Sequence, residues 1–306
     1  MLSLRRNPTL VADAALLGVT FVWGATFVVI SDALSATSPF VFLSLRFGIA
    51  TLLCLPFLPA FRQGMKTCEV WDGLLLGGLL ALGFALQTLG LVEISPSRSA
   101  FLTSMYVVFT PLLALPLLGR VPSAPTLAGI ACSLAGLALM SWDGGGLASG
   151  RGDWMTLACA VAFALQIIVL DRAARRGDFR RLFVVQIAAA AVLLTPGMAL
   201  ETVRFEPSVH LALAIALTAG PATVAAFYLQ SRFQPLTTPN RAAILFASEP
   251  VFAALTTALV RGESGLSRRG WMGAALIVAG VGIAEIRRQQ APAAGPVGVP
   301  GADSQG

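Results

Sequence analysis

Ten apolar stretches, each close to the roughly 20 residues a helix needs to cross a bilayer, follow one another with only short polar connections. They lie near residues 10–34, 39–60, 70–94, 98–118, 124–142, 153–171, 181–200, 209–231, 240–260 and 270–286. In hydrocarbon a backbone must satisfy its own N–H and C=O groups, so only helices and closed barrels can span. Runs of this length suit helices, because barrel strands need only about 10 alternating residues. The expected fold is an all-α polytopic membrane protein with ten transmembrane helices, its partner solvent the lipid bilayer.

Composition removes several other classes. Hydrophobic residues make up 56% of the chain and charged ones 12%, with a mean hydropathy of +0.80, so little remains for a globular catalytic domain. The net charge of +6 is spread between apolar runs and not gathered on one solvated face, which argues against a nucleic-acid partner. Cys54, Cys68, Cys132 and Cys159 show no ligand spacing, and His210 is the only histidine. No metal and no cofactor is expected. The first run, Leu10 to about Leu34, exceeds a signal-peptide core and reads as an uncleaved first span. The Pro/Gly/Ala-rich residues 289–306 read as a disordered tail.

Orientation follows from the basic residues of short loops. With both termini cytoplasmic, fourteen of the 21 Lys and Arg face inward, six face outward, and Arg46 is intramembrane. The expected location is the cell inner membrane, as a multi-pass protein. The cluster Arg172 to Arg181 reads as a topology signal or a contact for anionic lipid.

An internal repeat is also visible. A shift of 143 residues superposes Gly77 on Gly220, Phe84 on Phe227, Gln87 on Gln230, Pro96 on Pro239, Arg98 on Arg241, Ala100 on Ala243 and Gly119 on Gly262. Nearby shifts pair Gly129 with Gly273, Gly136 with Gly280 and Pro56 with Pro196. Five spans per copy is an odd number, so the second copy must enter from the opposite face. The expected units are two inverted five-helix repeats, 10–142 and 153–288, around a central cavity.

The motifs within these spans resemble the EamA-type family of the drug/metabolite transporter superfamily. They are WGATF (Trp23 to Phe27), Leu45-Arg46-Phe47, SAFLTSMYVVFTP (Ser99 to Pro111), Glu249-Pro250-Val251-Phe252 with Arg261-Gly262-Glu263, and the Gly273 and Gly280 pattern. The first copy departs in having Arg120 where the second has Glu263. The resemblance implies export of small metabolites, most often amino acids or related compounds, by alternating access without ATP hydrolysis and without enzymatic turnover. Export of drugs or hydrophobic compounds is the alternative, and an intramembrane lipid-modifying enzyme a more distant one. The expected partners are a small-molecule substrate and lipid; the expected functional unit is a monomer.

Candidate cavity residues come from spans 1, 3, 4, 6, 8 and 9. They are Trp23 and Phe27, then Phe84 and Gln87 on one stripe, and Thr103, Tyr106 and Thr110 on another. Phe163, Gln166, Phe227, Tyr228 and Glu249 complete the set. Ionisable residues inside hydrocarbon are costly and point to function. Glu249 permits coupling to protons without requiring it, whereas Arg46 reads as a structural partner for a carbonyl or an acid. Pro111 and Pro250 are expected to kink spans 4 and 9 by freeing the carbonyls of Val107 and Phe246.

Overall fold

The computed structural model describes residues 8–62, 64–119, 121–140, 150–262 and 267–285. Arg120, Glu263, Arg287, Arg288 and the tail 289–306 lie outside them. Thirteen α-helices account for most of the described chain, and the only strand-like pairing among those residues is an isolated bridge between Thr37 and Phe205.

Helix α1 runs Pro8–Ala33 and α2 Pro39–Leu53, with Pro39 in the first turn, where its missing N–H costs nothing. Pro56 then turns α2 into a 3-10 segment, Leu55–Phe61, bent by 57°. After α3 (Thr67–Leu91) comes a span in two pieces, α4 (Pro96–Thr103) and α5 (Tyr106–Leu118), followed by α6 (Ala124–Met140). The second half runs through α7 (Arg151–Ala173) and α8 (Phe179–Leu194), the latter again passing at a proline into a 3-10 segment, Thr195–Leu200. Next, α9 (Val209–Ala219) and α10 (Ala226–Phe233) are joined by a π turn over Gly220–Ala225. The chain closes with α11 (Pro239–Phe246), α12 (Glu249–Arg261) and α13 (Arg268–Glu285).

The breaks fall at matched places. Residues 104–105 separate α4 from α5, and 247–248 separate α11 from α12. Helices α5 and α12 end on Gly119 (φ 63°) and Gly262 (φ 65°), left-handed positions that a side chain would strain. The expected kink at Pro111 is displaced: the break lies six residues earlier, and Pro111 sits inside α5. Val107 stands where Pro250 stands in the other half, so no proline is needed for the break. Ser104 instead turns its hydroxyl back onto the Ala100 carbonyl (2.9 Å), the kind of contact that bends helices. Pro250 occupies the first turn of α12, where it starts a helix and disrupts none.

Among the described residues, seven helical segments are long and apolar enough to cross a membrane, and the bent pair Pro39–Phe61 makes an eighth. Of the other two runs, α6 has 17 residues, short of the roughly 20 a full crossing takes, and α13 carries Arg268, Arg269 and Glu285 at its ends. The outer surface suits lipid: Leu112 (63% exposed), Val192 (71%) and Leu259 (82%) would cost heavily in water. Trp71, Trp154 and Trp271 are exposed near the starts of α3, α7 and α13, the level at which indole anchors sit in an interface.

The closest packings all join a helix of 8–140 to one of 151–285: α6 with α13, α3 with α7 and α8, and α1 with α12. Glycines permit these approaches. A Cβ on Gly73 would stand 2.6 Å from Val185, and one on Gly280 would stand 2.6 Å from the Gly129 carbonyl; Gly136 and Gly273 face each other in the same way. Interdigitated in this manner, the two halves share one core.

Candidate functional site

Trp23, halfway along α1, is held by what the π turn exposes. Such a turn widens the backbone and releases a carbonyl, and the Ala222 carbonyl accepts the Trp23 Nε1–H at 2.9 Å. The indole packs against Phe227 and Phe246 with centroids 5.2 and 5.4 Å away. Next to it, a Cβ on Gly24 would lie 2.6 Å from the Glu249 carbonyl oxygen and 2.7 Å from Phe252 Cβ, so glycine lets α1 lie directly on α12.

Behind the indole lies a cavity enclosing about 550 Å³ of non-atom space, its mouth included. The walls are mostly aromatic, Trp23, Phe27, Phe84, Phe163, Phe227 and Phe246, with Ile30 and Ile167. Its polar groups are Thr26, Arg46, Gln87, Thr103, Tyr106, Gln166, Gln230 and Glu249. Both broken spans reach it at their breaks: Thr103 ends α4, Tyr106 begins α5, Phe246 ends α11 and Glu249 begins α12.

At this junction the Tyr106 hydroxyl donates to Glu249 Oε2 at 2.9 Å, with both residues under 5% exposed. Arg46 enters from α2, itself only 1% exposed. Its Nε donates to Thr223 Oγ1 at 2.9 Å, and that hydroxyl in turn donates to the Thr218 carbonyl at 2.7 Å. The guanidinium stacks on Phe84, 4.5 Å from the ring centroid. Amides line a third side. Gln230 donates to Gln166 (3.2 Å) and Gln234 (3.0 Å), Gln234 to the Ile167 carbonyl (2.8 Å), and Gln87 to Thr103 (3.2 Å).

Ten of the twelve side chains singled out in the sequence line this cavity. Thr110 and Tyr228 do not: Thr110 is fully buried in α5, and Tyr228 faces away onto Phe57, Phe179 and Phe183. The lining also draws on span 2 through Arg46, whose partners are a hydroxyl and aromatic rings in place of the expected carbonyl or acid. Phe246, Gln230, Thr26, Ile30 and Ile167 are further additions that sequence reasoning missed. For Phe246 a signal existed, because it stands four residues before Pro250.

The sequence model of the EamA-like transporter family matches residues 10–142 and again 150–285. The chain belongs to this family. Among EamA-like proteins, an uncharacterized transporter of Archaeoglobus fulgidus is 32% identical over 278 residues, covering 91% of this chain and 87% of that one. A protein of known crystal structure shares the fold at a TM-score of 0.73 and 22% identity, covering 92% of this chain and 99% of the other. This EamA-like chain is thus a multi-pass membrane protein of a transporter family.

Proposed function

We propose that this EamA-like protein is a secondary transporter exporting small metabolites, foremost amino acids, across the inner membrane by alternating access. The observation that carries the reading is the cavity itself: an aromatic chamber with one buried cation and one buried acid, where the broken spans of both halves meet.

The reading includes ten spans in two inverted repeats, and reciprocal contacts support it. Tyr106 and Glu249, equivalent under the 143-residue shift, touch each other as residues near a two-fold axis do. Arg98 pairs with Asp153 at 2.6 Å, and the equivalent Arg241 pairs with Asp13. Loops assigned to one side of the membrane also meet. Ser38 N–H donates to the Arg204 carbonyl at 2.9 Å on the outer side, and Asp178 N–H to Glu69 Oε1 at 2.9 Å on the inner. In this scheme each Arg–Asp pair ties the halves near one face, and rocking parts them in turn. Both termini lie in the cytoplasm and the monomer is the working unit.

The test is flux into liposomes holding the purified protein, with a panel of labelled amino acids, with and without a pH gradient. Saturable counterflow of unmodified amino acids is expected. Chemical conversion of the probe, or uptake confined to hydrophobic drugs, rejects the reading. Glu249→Gln is expected to impair flux while the protein still inserts, and unchanged flux at every pH rejects a proton-coupling role.

A further inference from the structure

Beside Arg181, which pairs with Glu69 at 2.8 Å, three arginines among the described residues are largely surrounded, and two of these are matched by carboxylates. Arg98 grips Asp153 with Nε at 2.6 Å and Nη2 at 3.0 Å, and Arg241 holds Asp13 through the same two nitrogens. The third, Arg46, is the most deeply buried and has no carboxylate partner among the described residues. A guanidinium carries five N–H donors. Here one goes to Thr223, a ring covers one face, and the buried Nη1 has no hydrogen-bond partner.

Buried polar groups are nearly always satisfied, and a guanidinium nitrogen without an acceptor can take one from a planar anion. Stacking on Phe84 and the bond to Thr223 hold the group in place, so the fork is preorganised with little rotamer freedom left to lose. Because Arg46 lines the cavity, a ligand held there lies against its side chain. The same cavity presents Glu249, of which Oε2 is taken by Tyr106 while Oε1 accepts no hydrogen bond from the described residues.

We propose that Arg46 is the carboxylate-binding residue of the cavity, and that Arg46 and Glu249 together select zwitterions, Arg46 taking the α-carboxylate and Glu249 the ammonium. This rests on the amino-acid reading above and sharpens it: the preferred ligand is the free amino acid, in preference to its amide or its deaminated acid.

Full-length protein in liposomes tests this with leucine, leucinamide and 4-methylpentanoate as competitors of labelled amino-acid uptake. Wild type is expected to prefer leucine to leucinamide by about tenfold or more, the range a charge-assisted bidentate contact supplies. Arg46→Lys, which keeps the charge and loses the fork, should raise the leucine KM about tenfold with little change in kcat. Arg46→Gln should abolish the preference for leucine over leucinamide. Should Arg46→Gln fail to insert, Arg46→Lys alone decides. Wild-type KM and wild-type discrimination in either inserted variant overturn the proposal.

Binding separates this outcome from the broader one. In detergent, 4-methylpentanoate should raise the melting temperature of wild type and not of Arg46→Lys. If no amino acid is transported but this carboxylate shift survives and depends on Arg46, the amino-acid reading fails and the anion site stands. If amino acids are transported and no shift depends on Arg46, the reverse holds.

Discussion

The Tyr106–Glu249 contact sets a carboxylate within the membrane against a phenol, and its energetics can be checked by deletion. Tyr106→Phe leaves Glu249 Oε2 buried without its donor at 2.9 Å. A loss of ~1–3 kcal/mol is expected for such a group. A clearly lower apparent Tm in detergent measures it, and an unchanged Tm denies the bond a structural role. Residues of this kind were partly legible: Trp23, Tyr106 and Glu249 stand in motifs, and a charge in an apolar run draws notice by itself. Thr110 and Tyr228 misled for a physical reason. On a helix surrounded by lipid and protein, every face is apolar, so helical spacing tells which residues share a stripe but not what that stripe faces. Tyr228 directly follows Phe227, and one step of about 100° turns it from the cavity to the ring cluster around Phe57.

Among the elements, the paired breaks matter most, because they place four lining residues at helix ends. Since the first break lies at Ser104–Met105, Pro111→Ala should keep both break and transport while relieving α5 of the lost bond and ring clash that together cost a helix interior ~3 kcal/mol. Higher thermal stability with near-normal flux is the expected result; loss of flux would return Pro111 to the mechanism. Gly24→Ala should do the opposite, since its methyl meets the Glu249 carbonyl at 2.6 Å and must push α1 off α12, costing ~1–3 kcal/mol. Reduced transport and a lower Tm would follow. At the α8 N-terminus, the Asp178 carboxylate accepts from Arg180 N–H at 2.8 Å, and its hydrogen bond to the Arg180 side chain holds its pKa below the ordinary value. A depressed folded pKa stabilises above the unfolded value near 3.9 and is lost as pH falls through the folded one. Asp178→Ala should therefore cost ~0.5–2 kcal/mol at neutral pH and progressively less in acid, read as Tm against pH.

For the whole molecule, the two Arg–Asp pairs offer a test of rocking. With a cysteine at Thr26 in a background lacking the native cysteines, Asp153→Asn should speed labelling by an impermeant thiol reagent from outside, and Asp13→Asn should slow it. Shifts in the same direction would exclude opposed latches. The arrangement also explains the interdigitated core: with α3 packed on α7 and α8, and α6 on α13, the tightest packings run between the halves.

From the chain alone came residence in lipid, the near-complete helical content and the family, because runs of apolar residues and local motifs are short-range properties. The internal match between Arg98 and Arg241 was equally visible there. Partners at long range were not. Nothing near position 46 announces that Thr223, Phe84 and an open cavity await its guanidinium, nor does Gly220-Pro221 announce a π turn that offers a carbonyl to Trp23. Those contacts cross from one half to the other over more than a hundred residues or depend on a helix's rotation about its axis. Only packing sets that rotation, and so only the tertiary structure decided which polar groups face the cavity.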